Sequence, residues 1–164
     1  MISWSIEVAE RSKCFDRIVV STDDEEIAEL ARSCGAEVPF MRSVALSDDQ
    51  TTSVAVIADA VLRLAEVGEA PEAICCLYAT APFVRPEDIR AALDILERDR
   101  APFVFPVTTF DFPIDRALMR EPDGGVKMRH PEHLLTRSQD LPEYFHDAGQ
   151  FYWGTALAWK EGLP

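Results

Sequence analysis

Glycine is scarce and scattered in this chain: seven residues in 164, with one adjacent pair, Gly124-Gly125. None forms a G-x-G-x-x-G or G-x-x-x-x-G-K pattern, so these residues do not encode the glycine-rich cradles that receive phosphates at a helix N-terminus. Long apolar runs are missing as well. Nothing approaches the roughly 20 residues of a membrane span. Met1-Ile2-Ser3-Trp4-Ser5-Ile6-Glu7 lacks the basic start and the apolar stretch of roughly 7 to 15 residues that mark a secretory signal. These absences predict a soluble, cytoplasmic protein with no membrane partner. Positive charge is sparse: 16 basic against 29 acidic residues, net -13. Binding to nucleic acid gains from counterion release at clustered Lys and Arg, so the balance excludes a nucleic-acid partner. A few placed arginines can still bind an anionic small molecule. The four cysteines, Cys14, Cys34, Cys75 and Cys76, show no C-x-x-C spacing of a zinc site; they read as reduced, structural thiols.

The composition that remains, 48% hydrophobic and 27% charged, is that of a globular α/β chain, and its length suits one domain. Ile2, Ile6, Ala9 and Lys13 fall at near-helical spacing, and Arg17-Ile18-Val19-Val20-Ser21 follows as a short buried-strand pattern. Thr22-Asp23-Asp24 offers capping oxygens to a helix through Ile27, Leu30 and Ala31, which Gly35 would stop. Thr51 to Val67 predicts a longer helix with one apolar stripe. Ala73-Ile74-Cys75-Cys76-Leu77-Tyr78 is nearly continuous apolar sequence, as in a central parallel strand. Pro86 opens the next helix, and Phe103 to Val107 begins another strand. Alternation of this kind predicts a doubly wound, mostly parallel sheet flanked by helices. From Asp111 to His146 the alternation breaks, and Asp123-Gly124-Gly125 fits the turn of a hairpin in an insertion able to meet a second subunit. Gly149 to Trp153 returns to a strand, and a helix starts near Leu157.

Ligands of open parallel sheets sit beyond the carboxyl ends of the strands, which directs attention to the turns after Val20, Tyr78 and Val107. Thr22 and Asp23 serve there as helix caps or as ligand contacts. The small residues of Tyr78-Ala79-Thr80-Ala81-Pro82 leave room for a flat ring, although Thr80 could equally cap the helix at Pro86 or satisfy the turn. Arg42 and Arg137, in polar loops, have the fork that grips carboxylate or phosphate, or are simply solvated. His146-Asp147 is weakened as an acid-base pair because adjacent strand residues point to opposite faces.

Several segments together resemble the CMP-sialic acid synthetase family, most closely its pseudaminic acid cytidylyltransferase branch: Ile18 to Ala28, Leu77 to Phe83, Phe112-Pro113-Ile114, Thr136 to Leu141, and His146 to Trp153. Sialic acid synthetases usually carry L-Q-P-T-S-P where this chain has Tyr78-Ala79. The resemblance implies a Rossmann-like nucleotidyltransferase with a hairpin-bearing dimerisation insertion, acting as a homodimer. It implies transfer of CMP from CTP to a nonulosonic acid, with Mg²⁺ assistance, in the service of surface polysaccharide or flagellin glycosylation. By position it assigns Arg42, Asp49, Ser53 and Thr80 to the nucleotide side, and Tyr78, Arg137, Gln139 and Tyr152 to the sugar-acid side. The family's I-P-A-R-x-G-S-K-R loop falls ahead of Met1 and its metal-binding D-x-D beyond Pro164, so no catalytic residue or metal ligand is assigned within the chain. The expectation is a fragment, inactive alone and, with an unpaired sheet edge, oligomeric or poorly soluble. The alternative is a noncatalytic remnant that binds a sugar acid or a partner subunit.

Overall fold

The computed structural model describes residues 1–162. In chain order the elements are α1 (Ile2–Ser12), α2 (Glu25–Ser33), α3 (Ser53–Glu66), β1 (Ala73–Leu77), α4 (Pro86–Asp99), β2 (Phe103–Val104), β3 (Val107–Thr109), β4 (Leu118–Arg120), β5 (Val126–Met128), β6 (Phe145–Asp147), β7 (Phe151–Thr155) and α5 (Ala156–Glu161). Two compact units result: residues 1–106 with the segment from Gly149 onward, and Val107–Ala148.

The helices of the first unit begin and end where local chemistry directs them. Asp24 accepts the backbone N–H of Ile27 at 3.0 Å, and Glu25 and Glu26 in the first turn of α2 favour its positive end. Cys34 ends the helix, and Gly35 follows at φ +92°, a left-handed conformation that costs glycine least. Thr52 caps α3 through the N–H of Ala55, and Pro86 stands in the first turn of α4. The last case excludes one role for Thr80, since Arg85 occupies the N-cap and no side chain caps that helix.

The sheet of this unit is three-stranded, in the order β1-β7-β2. β7 runs antiparallel to both neighbours, from Ala73 opposite Thr155 to Leu77 opposite Phe151, and with Phe103 opposite Gly154. The α/β class stands, but the expected mostly parallel pairing gives way here to a strand that runs antiparallel to both of its neighbours. β1 and β2 point the same way, and the returning strand β7 lies between them. The other parallel element, Arg17 to Ser21, is held by one parallel bridge, Val19 to Glu37, rather than a full ladder. Gly154 is obligatory at the crossing: a Cβ there would lie 2.5 Å from the Phe103 ring and 2.7 Å from Trp159 Nε1.

Two cores anchor the unit. Ala81, Val84, Ile89, Ala92 and Leu96 pack with Phe151 and Trp153, and Ile6 packs with Ala31 and Ala36. Trp153 is 2% exposed, lies parallel to Phe15 with centroids 5.2 Å apart, and donates Nε1–H to the Ile89 carbonyl at 3.0 Å. Removing an indole of this size from water stabilises the fold by about 4–6 kcal/mol.

In the second unit β3 pairs antiparallel with β6, and β4 with β5. The β4–β5 turn is closed by Glu121 N–H on the Gly125 carbonyl at 2.8 Å, with Gly124 at φ +90°. The expected hairpin is therefore present. No helix among the described residues is long and apolar enough to cross a membrane.

Candidate functional site

Within the first unit, polar side chains gather beyond the carboxyl ends of the segment 17–21 and of β1, along a cavity of about 960 Å³. Thr22 anchors one wall. It is buried, its hydroxyl accepts the Asp24 N–H at 3.1 Å, and its carbonyl accepts the Arg42 N–H at 2.8 Å. That backbone tie brings the Arg42 guanidinium back over the strand end. Nε donates to Ser47 Oγ at 3.1 Å, and the terminal nitrogens donate to the Ser21 carbonyl at 3.5 Å and to Asp23 Oδ1 at 2.9 Å. Hydrogen bonding from Arg42 holds the Asp23 carboxyl below its ordinary range. Asp23, read from sequence as a helix cap or a ligand contact, instead orients an arginine.

The loop ahead of α3 completes this wall. Asp48 Oδ1 accepts Thr51 Oγ1 at 2.8 Å and the backbone N–H groups of Thr51 at 2.7 Å and Gln50 at 2.9 Å. Those bonds, that from the Thr51 hydroxyl foremost, keep its carboxyl below the usual range. Asp48 lines the cavity, whereas its neighbour Asp49 does not. Sequence reasoning missed both Ser47 and Asp48; the signal available was the polar run Ser47-Asp48-Asp49-Gln50-Thr51, in which an aspartate closing a local turn is a common use.

Across the cavity stand Tyr78 and Thr80, at the end of β1. The Tyr78 hydroxyl lies 3.4 Å from Ser53 Oγ, and its ring sits 5.4 Å from that of Tyr152, which in turn lies 5.7 Å from Phe105. Arg42, Ser53, Tyr78 and Thr80 thus share one cavity, with Tyr152 adjoining through Tyr78. Arg137 and Gln139 belong to the second unit, in and beside a short 3₁₀ turn, where Arg137 forms a two-bond fork with Asp140 at 2.7 and 3.1 Å. His146 turns Nδ1 toward the backbone carbonyl of Asp147 at 2.9 Å and packs edge-on to Phe110, an arrangement set by backbone and ring contacts.

All four cysteines are free thiols. Burial pushes the Cys75 thiol well up and that of Cys76 to about 12, so neither is a thiolate at neutral pH. Among the described residues no three His, Cys, Asp or Glu side chains converge on one point, and no step is derived through a metal.

Residues 1–151 match the family described as Cytidylyltransferase. A pseudaminic acid cytidylyltransferase of Campylobacter jejuni is 42% identical over 161 residues, which is 98% of this chain and 69% of that protein. The Helicobacter pylori protein named pseudaminic acid cytidylyltransferase and UDP-2,4-diacetamido-2,4,6-trideoxy-beta-L-altropyranose hydrolase is 34% identical over 165 residues, 100% of this chain and 31% of the relative. In fold the chain resembles CMP:2-keto-3-deoxy-manno-octonic acid synthetase, solved in complex with CTP. The TM-score is 0.68 at 17% identity, over 99% of this chain and 67% of that one.

Proposed function

The chain belongs to the cytidylyltransferase family, and from that premise we propose that it serves the transfer of CMP from CTP to a nonulosonic acid of the pseudaminic type. The anomeric oxygen of the sugar acid forms a bond to the α-phosphorus of CTP, the bond from that phosphorus to the bridging oxygen breaks, and pyrophosphate leaves. The attacking hydroxyl gives up its proton, and no residue of this chain is assigned to take it.

The observation that carries this reading is the convergence of Arg42, Ser53, Tyr78 and Thr80 on one cavity beyond the carboxyl ends of the segment 17–21 and of β1, where α/β folds hold nucleotides. Arg42 has the charge and planar donors for a triphosphate, and its ties to Ser47 and Asp23 reduce the rotamer freedom that binding would otherwise cost. Ser53 and Thr80 offer hydroxyls on the same side. The Tyr78, Tyr152 and Phe105 rings form an aromatic corner against which the apolar face of a sugar can pack. Arg137 and Gln139, which the family resemblance assigns to the sugar acid, belong to the second unit. Because Arg137 is forked onto Asp140, a carboxylate that it binds must replace that acid as its partner.

We further propose a homodimer formed through the second unit, which leaves Phe112 82% and Leu135 93% exposed, an expensive display of apolar surface unless it is covered. Calorimetry with CTP, UTP and free pseudaminic acid, paired with phosphorus NMR for pyrophosphate, tests the function. CTP binding with preference over UTP is expected. Sugar-acid binding with no CTP affinity would establish the noncatalytic reading instead, and binding of neither would overturn both. Sedimentation at graded concentrations tests the dimer, which a monomer at all concentrations would refute.

A further inference from the structure

Arg42 is held over the cavity by its backbone bond to Thr22 and by bonds within its own loop, residues 41–52, which leads into α3. Arg42 Nε donates to Ser47 Oγ, Ser47 Oγ donates to the Ser43 carbonyl at 2.9 Å, and Asp48 closes on Thr51. These bonds stiffen the loop, but they do not set where it stands against α3, the helix that carries Ser53. A separate contact does. The Arg63 guanidinium lies over the Phe40 ring, 5.2 Å from its centroid, within the reach at which a cation is drawn to an aromatic face. Phe40 immediately precedes the loop and Arg63 stands on α3 beyond it, so this contact closes the loop at its base.

Arg63 is itself held. Asp59, one turn earlier on α3, accepts the Arg63 Nε–H at 2.8 Å, the favourable order for an acid and a base at i and i+4. That bond takes up rotamer freedom that would otherwise oppose the contact with Phe40. Both side chains of the pair are partly exposed, so it contributes little to global stability. Phe40, Asp59 and Arg63 do not line the 960 Å³ cavity, whereas Arg42, Ser47, Asp48 and Ser53 do. A ligand in the cavity meets the loop and the helix, but none of the three residues that join them.

We propose that Arg63 is a positioning residue for Arg42: held by Asp59 on the face of Phe40, it keeps the Arg42 loop at a fixed place against α3 and Ser53, a role in binding that rests on the nucleotide site proposed above. Polar groups on two elements grip one ligand only while their spacing is kept, and a misplacement of about 1 Å is costly. Loss of a cation–π contact at a partly exposed position corresponds to about a two- to fivefold change in an equilibrium.

Arg63→Met keeps the apolar stem of the side chain and removes its charge and its bond to Asp59. In the ligand-free, ¹⁵N-labelled protein, exchange of the Arg42 Nε proton and backbone amide, followed by NMR, should quicken by about threefold or more, with no change at the Ala31 amide of α2. Calorimetry should show CTP bound about two- to fivefold more weakly, and Arg63→Lys, which returns the cation, should recover at least half of that loss. On the Arg42→Ala background Arg63→Met should cost nothing further. Unchanged exchange at Arg42, equal quickening at Ala31, or an undiminished loss on the Arg42→Ala background would overturn the proposal, the last two because they mark an effect on the fold at large. Should Arg63→Met not fold, Phe40→Leu, which removes the aromatic face and keeps an apolar side chain, makes the same comparison. Quickened exchange at Arg42 in a chain without CTP affinity would uphold the brace and overturn the proposed function, so the two fail separately.

Discussion

Replacing Arg42 with alanine separates a ligand-binding role from a structural one. The guanidinium makes contacts at 2.9, 3.1 and 3.5 Å to Asp23, Ser47 and the Ser21 carbonyl, but the side chains of the ion pair are 24% and 45% exposed. Solvent screening leaves such a pair little weight in stability, so Arg42→Ala should remain folded. Its effect on ligand is larger. A charge-assisted bond to phosphate contributes about 1.5–3 kcal/mol, which predicts CTP affinity about 10- to 150-fold weaker. Asp23→Asn should weaken CTP binding by less than about threefold, because Ser47 and the Ser21 carbonyl still hold the arginine. On the Arg42→Ala background the same change should do nothing further. The pH dependence has a definite sign. Arg42 holds the folded Asp23 carboxyl low, so the stability from this contact is present above the ordinary carboxylate value of about 4 and is lost as pH falls below it. Calorimetric titration of the wild type and three variants, with melting curves for each, is the assay. A folded Arg42→Ala protein that binds CTP within twofold of wild type would refute the role given to this residue, and so would a wild-type chain with no CTP affinity.

Three further outcomes concern the scaffold. Trp153→Phe loses the bond to the Ile89 carbonyl and leaves part of the indole volume empty beside Phe15, so a denaturant titration should show a loss of about 2–3 kcal/mol; a loss under 0.5 would contradict the packing described. Gly154→Ala puts a methyl group against Phe103 and Trp159 and should destabilise by about 2–4 kcal/mol, unless those rings shift without cost, which an unchanged melting temperature would reveal. Cys75 and Cys76 should react with a thiol reagent at pH 8 only after unfolding, in contrast to their immediate reaction in denaturant. Since the folded Cys76 thiol keeps its proton to about 12, stability should be unaffected below the free-thiol value of about 8.5. Above it stability should fall by up to about 1.4 kcal/mol per pH unit for each of the two thiols as the unfolded chain ionises; a flat profile from pH 8 to 11 would show that the thiols are more accessible than their positions indicate.

Much of this protein could be read residue by residue. The cap at Asp24, the stop at Gly35, the stripe of α3, the proline opening α4 and the apolar run of β1 are local signals, carried by contacts a few residues apart, and each element formed within a residue or two of its expected bounds. The ordered motifs from Ile18 to Trp153 also carried the family. Pairing could not be read in this way. That β7 separates β1 from β2, and that the segment 17–21 meets Glu37, depend on contacts between residues 18 to 82 positions apart, for which a strand pattern names no partner. The site shows the same division. Arg42 was marked by its residue type and by the family's positional match, but its placement over Ser21 comes from a backbone bond to Thr22. Asp48 rather than Asp49 reached the cavity because the turn closed on Asp48. The chain alone determined which residues could carry the chemistry; tertiary folding decided which of them share a cavity, because only the packed backbone sets the direction in which a side chain points.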